Sequence, residues 1–225
     1  MTEEEARAWI RANVPRETET KLERFVALVL DEMSRQNLIA ASTADHIWDR
    51  HILDSAQLVP LAPEAARHWM DLGSGAGFPG LVVALMCPWL RMTLVESRRK
   101  RIDFLRFLAE SLGLADRVEV AGQRLEMVAA QPQDVISARA FAPLDRLLPL
   151  AHRFSRPDTV WLLPKGRSAA SELEAVTASW QGDFRVVASR TDPEAAIIVA
   201  SQVEPRVRGR VTAAPGARVQ SKERR

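Results

Sequence analysis

The sequence predicts an α/β domain, a mostly parallel seven-stranded sheet with helices on both faces, preceded by a helical extension. Three observations carry this. Short β-prone runs alternate with amphipathic stretches from residue 66 to residue 204, the rhythm of a parallel sheet covered on both sides. Residues 1–65 show helical periodicity and no convincing strand. A glycine-rich segment stands where the first strand hands over to the first sheet helix. In such sheets this is where the chain turns tightly and where ligands bind.

The elements follow in order. In the extension, Leu22, Phe25, Val26, Val29, Leu30 and Met33 recur at helical spacing, which gives one apolar face. Pro60 and Pro63 end that pattern. His68–Leu72 is the first strand and Leu81–Met86 the helix after it, stopped before Pro88. Met92–Val95 is the second strand. From Arg98 to Leu112 a long amphipathic helix carries Ile102, Leu105, Leu108 and Leu112 on one side, and Gly113 closes it. Arg117–Val120 and Asp134–Ser137 are strands, Leu144–Phe154 a helix, Thr159–Leu163 a strand and Ser168–Trp180 a helix. Phe184–Ala188 and Ala196–Ala200 complete seven strands.

Composition excludes several classes. Of 225 residues, 47% are hydrophobic and 27% charged, ordinary proportions for a soluble globular protein. Cys87 is the one cysteine, so neither a disulfide framework nor a multi-cysteine metal site can form. The histidines at 46, 51, 68 and 152 show no metal-ligand spacing. The opening Met1-Thr2-Glu3-Glu4-Glu5 is acidic where a signal peptide is basic and then apolar. The longest apolar stretch, Leu81–Leu90, is broken by Pro88 and falls short of the ~20 residues that span a bilayer. A cytoplasmic monomer with no membrane contact and no metal is expected. The net charge is +2 and unevenly placed. Seven basic residues and one acid after residue 204 give a basic tail, 205–225, that is expected to be disordered or to serve as a phosphate-binding arm.

Residues 71–80, Asp-Leu-Gly-Ser-Gly-Ala-Gly-Phe-Pro-Gly, carry the chemistry. Glycines allow a tight turn and close approach of a ligand to the backbone, and the following helix N-terminus offers free N–H groups. Residues 75–80 fit the dinucleotide fingerprint, while residues 71–77 fit the acidic-apolar-Gly-x-Gly-x-Gly turn of methyltransferases. A carboxylate at Asp71 beside the ligand would repel a pyrophosphate by roughly 4 kcal/mol at 4 Å and an effective dielectric of 20. The same carboxylate attracts the ammonium and sulfonium of S-adenosylmethionine. Glu96, at the end of the second strand, can accept hydrogen bonds from both ribose hydroxyls of an adenosine.

The glycine turn and Glu96-Ser-Arg-Arg-Lys-Arg-Ile-Asp-Phe-Leu105 together resemble the RsmG family, formerly GidB. Further matches run in order through Asn37-Leu38, Arg50-His51-Ile52-Leu53-Asp54-Ser55, Arg124-Leu125-Glu126, Arg139-Ala140-Phe141 and Pro164-Lys165-Gly166, and the resemblance spans about residues 20 to 200. It implies a Rossmann-like class I S-adenosylmethionine-dependent methyltransferase that makes 7-methylguanosine in the 530-loop region of 16S ribosomal RNA, acting on the RNA or a small-subunit particle and releasing S-adenosylhomocysteine. It also implies that Gly73, Gly75, Gly77 and Phe78 touch the cofactor, that Leu125 and Glu126 lie near the adenine, and that Arg139 borders the same site. Two features depart from the family pattern: Ala138 stands between Ser137 and Arg139, and Glu96 replaces the common aspartate.

The residues fit such chemistry. Guanine N7 has a free lone pair, so no general base is needed, and no Asn/Asp-Pro-Pro-aromatic motif of amino-group methyltransferases follows the fourth strand. Cys87 reads as a packing cysteine. Arg139 is the candidate to contact cofactor or guanine, with an ion pair to Asp71 or Glu96 as the plain alternative. Lys165 is a candidate to position the base or hold RNA phosphate, and His51 to contact RNA. The run Arg98, Arg99, Lys100, Arg101 opens a helix at its positive end, where each cation costs a few tenths of a kcal/mol, and so reads as an RNA-phosphate patch or a solvated face. The alternatives are a methyltransferase for a small molecule or protein, or a nucleotide-binding protein of this fold without methyl transfer.

Overall fold

The computed structural model describes residues 1–206. All but the first two residues of the basic tail therefore lie outside the described residues.

The extension starts with α1 (Glu3–Asn13) and α2 (Arg16–Glu32). Thr2 and Glu5 cap α1 reciprocally: the Glu5 N–H donates to Thr2 Oγ1 at 3.1 Å and the Thr2 N–H to Glu5 Oε2 at 2.7 Å. The acidic opening has a second use. Glu3 accepts from the N–H groups of Trp48 and Asp49 at 3.0–3.1 Å, placing a carboxylate at the positive end of the next helical segment. That segment winds as a 3₁₀ turn (Ala41–His46), a π-helical turn (Trp48–Leu53) and α3 (Asp54–Ala56). In α2, Leu22, Phe25, Val26 and Val29 are buried as their spacing predicts, whereas Leu30 is exposed. It sits about 80° round the helix from Leu22, at the margin of the apolar stripe.

The sheet comprises β1 (His68–Leu72), β2 (Arg91–Val95), β3 (Val118–Ala121), β4 (Val135–Ala138), β5 (Val160–Lys165), β6 (Trp180–Ala188) and β7 (Ala196–Pro205). Their order is β3-β2-β1-β4-β5-β7-β6, and β7 alone runs against its neighbours. Helices α4 (Gly80–Met86), α5 (Arg99–Ser111), α6 (Leu144–Ala151) and α7 (Ala169–Val176) make the connections. Successive strand residues point to opposite faces. Trp69, Met92, Leu94 and Leu162 thus join the core under α2, α4 and α5, while Met70, Leu72, Ile136 and Trp161 join the core under α6 and α7. Ile10, Phe25 and Trp48 of the extension belong to the first of these cores.

The predicted helix Ser168–Trp180 ends at Val176. Trp180 instead opens β6, pairing with Pro205 across a hairpin whose strands both run longer than predicted. Among the described residues no helix is long and apolar enough to cross a membrane. The chain returns between β1 and β4 after building outward to β3, so the carboxyl edge there is a switch point where ligands settle in open α/β sheets.

Candidate active site

The glycine turn leaves β1 at this switch point. Gly73 and Ser74 donate their N–H groups to the Val95 carbonyl at 2.9 and 3.1 Å, tying the turn to β2. Gly73 has φ +72°, and a Cβ there would lie 2.6 Å from the Phe141 ring. Gly77 has φ +99° and packs against Leu81 and Phe25, so it serves the joint with the extension. Phe78 is buried in the same joint, its ring 5.0 Å from those of Phe25 and His51.

Asp71 is fully buried beneath the turn. Its Oδ1 accepts from Ser137 Oγ at 2.7 Å and its Oδ2 from the Gly80 N–H at 3.3 Å. Ser137 in turn receives the Trp69 indole N–H at 2.9 Å. Burial raises the Asp71 pKa, opposed by those donors and by Arg139. The carboxylate therefore braces β1, β4 and the start of α4. Any attraction it exerts on a cationic ligand acts through the turn, which corrects the sequence argument that set it directly beside one.

Glu96 directly follows β2 and organises the smaller of the two clefts at this edge of the sheet, about 390 Å³, together with Gly73, Arg98, Arg124, Leu125, Glu126 and Phe141. Its Oε1 accepts from the Ser97 and Arg98 N–H groups at 2.7 and 2.9 Å, and its Oε2 from Gly75 at 3.2 Å. A carboxylate has about four acceptor sites. Three are taken by backbone, so one site on Oε2 remains for a hydroxyl rather than a free pair. Leu125 is buried and supplies an apolar wall.

The basic run divides. Arg101 is drawn in, 3.8 Å from Glu96 Oε2 and donating to the Asn37 carbonyl at 3.2 Å. Arg98 precedes α5 without capping it through its side chain and lines the smaller cleft, while Arg99 pairs with Asp103 on an exposed surface beside an exposed Lys100. Arg99 and Lys100 are thus presented outward, Arg98 stands exposed at the rim of the cleft, and Arg101 is part of its wall.

The larger cleft, about 660 Å³, lies beyond the ends of β4, β5 and β7. Ala140 and Phe141 line both clefts, and Ala140 holds φ +52° at the corner between them. Arg139, directly after β4, pairs with Asp54 at 3.2 Å, not with Asp71 or Glu96. Its second terminal nitrogen donates to His51 Nδ1 at 3.0 Å, and its guanidinium stands 5.4 Å over the Phe78 ring. Burial, then the charges of Arg139 and Arg50, push His51 down to about 3. Lys165 is the last residue of β5 and is mostly covered. Its ammonium donates to Glu172 at 2.7 Å and to the Ala142 carbonyl at 3.0 Å. Burial alone would raise Glu172, but Lys165, Ser168 and the Leu144 N–H lower it. The lysine read from sequence as free for phosphate is therefore committed to an internal pair.

Sequence reasoning missed Thr43, Phe141, Thr191 and Asp192 as cleft residues. Thr191 and Asp192 sit on the β6–β7 loop, which no motif marks. Cys87 is buried and its thiol is pushed up to about 11 by burial, as suits packing.

Comparison with known proteins places this geometry. The family description GidB, rRNA small subunit methyltransferase G, matches residues 18–193. The chain is 77% identical over 210 residues to the ribosomal RNA small subunit methyltransferase G of Rhizorhabdus wittichii, covering 93% of this chain and 97% of that protein. To the protein of the same name from Zymomonas mobilis it is 51% identical, covering 92% and 96%. Among solved structures, the O-methyltransferase from Bacillus cereus in complex with SAH superposes with a TM-score of 0.54 at 16% identity, covering 79% of this chain and 90% of that one. A mutant of MtNAS in complex with S-adenosylmethionine gives 0.58 at 15%, covering 82% and 75%. These two likenesses are of fold, that of the Rossmann-like class I methyltransferases.

Proposed function

Because the chain belongs to the rRNA small subunit methyltransferase G family, we propose that it transfers the methyl group of S-adenosylmethionine to N7 of a guanine in the 530-loop region of 16S ribosomal RNA. S-adenosylmethionine supplies the electrophilic methyl group and is left as S-adenosylhomocysteine. The smaller cleft fits it: Glu96 keeps one acceptor site for a ribose hydroxyl, Leu125 offers an apolar wall to the adenine, and Gly73 lets the ligand approach the backbone.

One observation carries the choice of N7. Every titratable side chain lining the larger cleft already has a partner within the described residues. Arg50 pairs with Asp192, Arg139 with Asp54 and His51, and Lys165 with Glu172. Such a cleft suits an acceptor atom that carries its own lone pair and needs no proton removed, and guanine N7 is one. As the N7–carbon bond forms, the carbon–sulfur bond breaks, its electrons go to sulfur, and the positive charge passes to the base. The protein's task is to align the two clefts across Phe141, and alignment of this kind is worth several kcal/mol. Arg98, Arg99 and Lys100 form the outer RNA-phosphate face, with an attraction that weakens with salt.

The test is transfer of labelled methyl from S-adenosylmethionine to small-subunit particles that lack their native modifications, followed by nucleoside analysis. Labelled 7-methylguanosine at one position is the expected result. Cofactor binding without transfer to RNA rejects the substrate.

A further inference from the structure

We propose that His51 and Asp54 are positioning residues that clamp the Arg139 guanidinium at the wall of the larger cleft, and that this is what the segment Arg50–Ser55 is for. The inference rests on reading that cleft as the site of the acceptor base.

A guanidinium donates five hydrogen bonds in a fixed fork and accepts none. One terminal nitrogen of Arg139 gives its protons to Asp54 Oδ2 at 3.2 Å and to the Arg50 carbonyl at 3.3 Å. The other gives one to His51 Nδ1 at 3.0 Å. Three acceptors from a single helical turn thus grip one edge of the fork, and the Phe78 ring backs its face. Within the described residues the Nε proton and one terminal proton remain uncommitted. Those are the donors left for an acceptor oxygen on the base.

The clamp is itself held. Because Arg139 can only donate, His51 Nδ1 must present its lone pair, which puts the ring proton on Nε2. Nε2 lies 2.8 Å from Thr43 Oγ1, and Thr43 passes its own proton to the Ala40 carbonyl at 2.8 Å. The chain of donors runs in one sense from Arg139 to Ala40. Asp54 is fixed through its other oxygen, which accepts from Thr191 Oγ1 and from Gln57 Nε2, each at 2.9 Å. Ser55 Oγ donates to the His51 carbonyl at 2.6 Å, tightening the turn. A π-helical turn over Trp48–Leu53 is the local departure that brings 50, 51 and 54 to one guanidinium.

The experiment is a double-mutant cycle read by methyl transfer to RNA, with cofactor affinity measured by calorimetry. His51→Leu is expected to lower kcat/KM on the order of tenfold or more, as displacement of a positioned group does, with cofactor affinity held within about twofold. His51→Asn, whose amide oxygen takes the place of Nδ1, is expected to restore most of the loss. In an Arg139→Ala background His51→Leu should have almost no further effect, and Asp54→Asn should behave likewise. Losses that add across the cycle, or that follow cofactor affinity, overturn the positioning role while leaving the proposed function standing. A wild-type protein that transfers nothing to RNA removes the function on which the proposal rests. Independently of activity, nitrogen NMR of the wild-type His51 ring is expected to show the proton on Nε2, and a proton on Nδ1 excludes the clamp.

Discussion

His51 ties the pH response of the fold to the site. Its ring falls from 6.5 to about 3 through burial and the nearby Arg139 and Arg50. Between those values the unfolded chain holds a proton that the folded chain does not. The stabilisation is therefore full above about pH 6.5 and is lost as the pH falls toward the folded value, at a slope of at most about 1.4 kcal/mol per unit. Urea unfolding at about pH 7 and about pH 5.5 should differ by up to ~1.3 kcal/mol more in the wild type than in His51→Asn, and equal differences would show that His51 is protonated in the fold. The glycines separate in the same residue-level terms. Gly73→Ala and Gly75→Ala both meet positive φ, which costs roughly 1–2 kcal/mol. Only at position 73 would the new Cβ also strike a ring, at 2.6 Å, since at 75 the nearest atom lies 3.7 Å away. Gly73→Ala should therefore be the less stable variant in thermal unfolding and bind S-adenosylhomocysteine more weakly.

At the level of elements, α1 is held to the molecule by Glu3, whose carboxylate meets two N–H groups at the start of the segment that carries Arg50–Ser55. Hydrogen bonds to a charged group are worth about 1.5–3 kcal/mol each before exposure reduces them. Glu3→Ala should destabilise the fold by about 1–2 kcal/mol and make the segment after α2 an early site of proteolysis, and an unchanged digest would count against the tie. In the first turn of α5, Arg99 and Asp103 are too exposed for their pair to matter much to stability. Replacing Arg99 and Lys100 by alanine should shift stability by no more than about 0.5 kcal/mol yet weaken RNA binding, most at low salt. Elements of this kind were legible where period and punctuation agree, as in β1, the glycine turn and α5. The two strands of the β6–β7 hairpin were legible but their length was not, because Trp180 has an aromatic's place in a helix pattern and only pairing with Pro205 makes it a strand. The smaller cleft gathers residues that motifs mark in the sequence, the glycine turn, Glu96 and Leu125-Glu126. The larger was not legible: Asp54, Arg139 and Thr191 lie far apart in the chain, and the charges of Lys165 and Glu172 cancel through a contact that spacing does not encode.

Across the whole molecule the two clefts share a wall but not a core, with Asp71 and Ser137 bracing the sheet between them. A ligand that binds only the folded state at about 100 times its Kd adds ~2.7 kcal/mol. S-adenosylhomocysteine should raise the unfolding midpoint of the wild type, but much less that of Glu96→Ala, and an equal rise in both would place the ligand elsewhere. The order in which the chain supplies its parts has a consequence of its own. The smaller cleft draws on residues 73 to 141, whereas the larger needs the β6–β7 loop up to Ile197. During synthesis, therefore, every residue that lines the smaller cleft has been made while the larger cleft still lacks a side. A nascent chain, or one cut short before the hairpin, carries the parts of the smaller cleft with the larger left open, so on the function we propose the hairpin completes the acceptor site as well as the sheet.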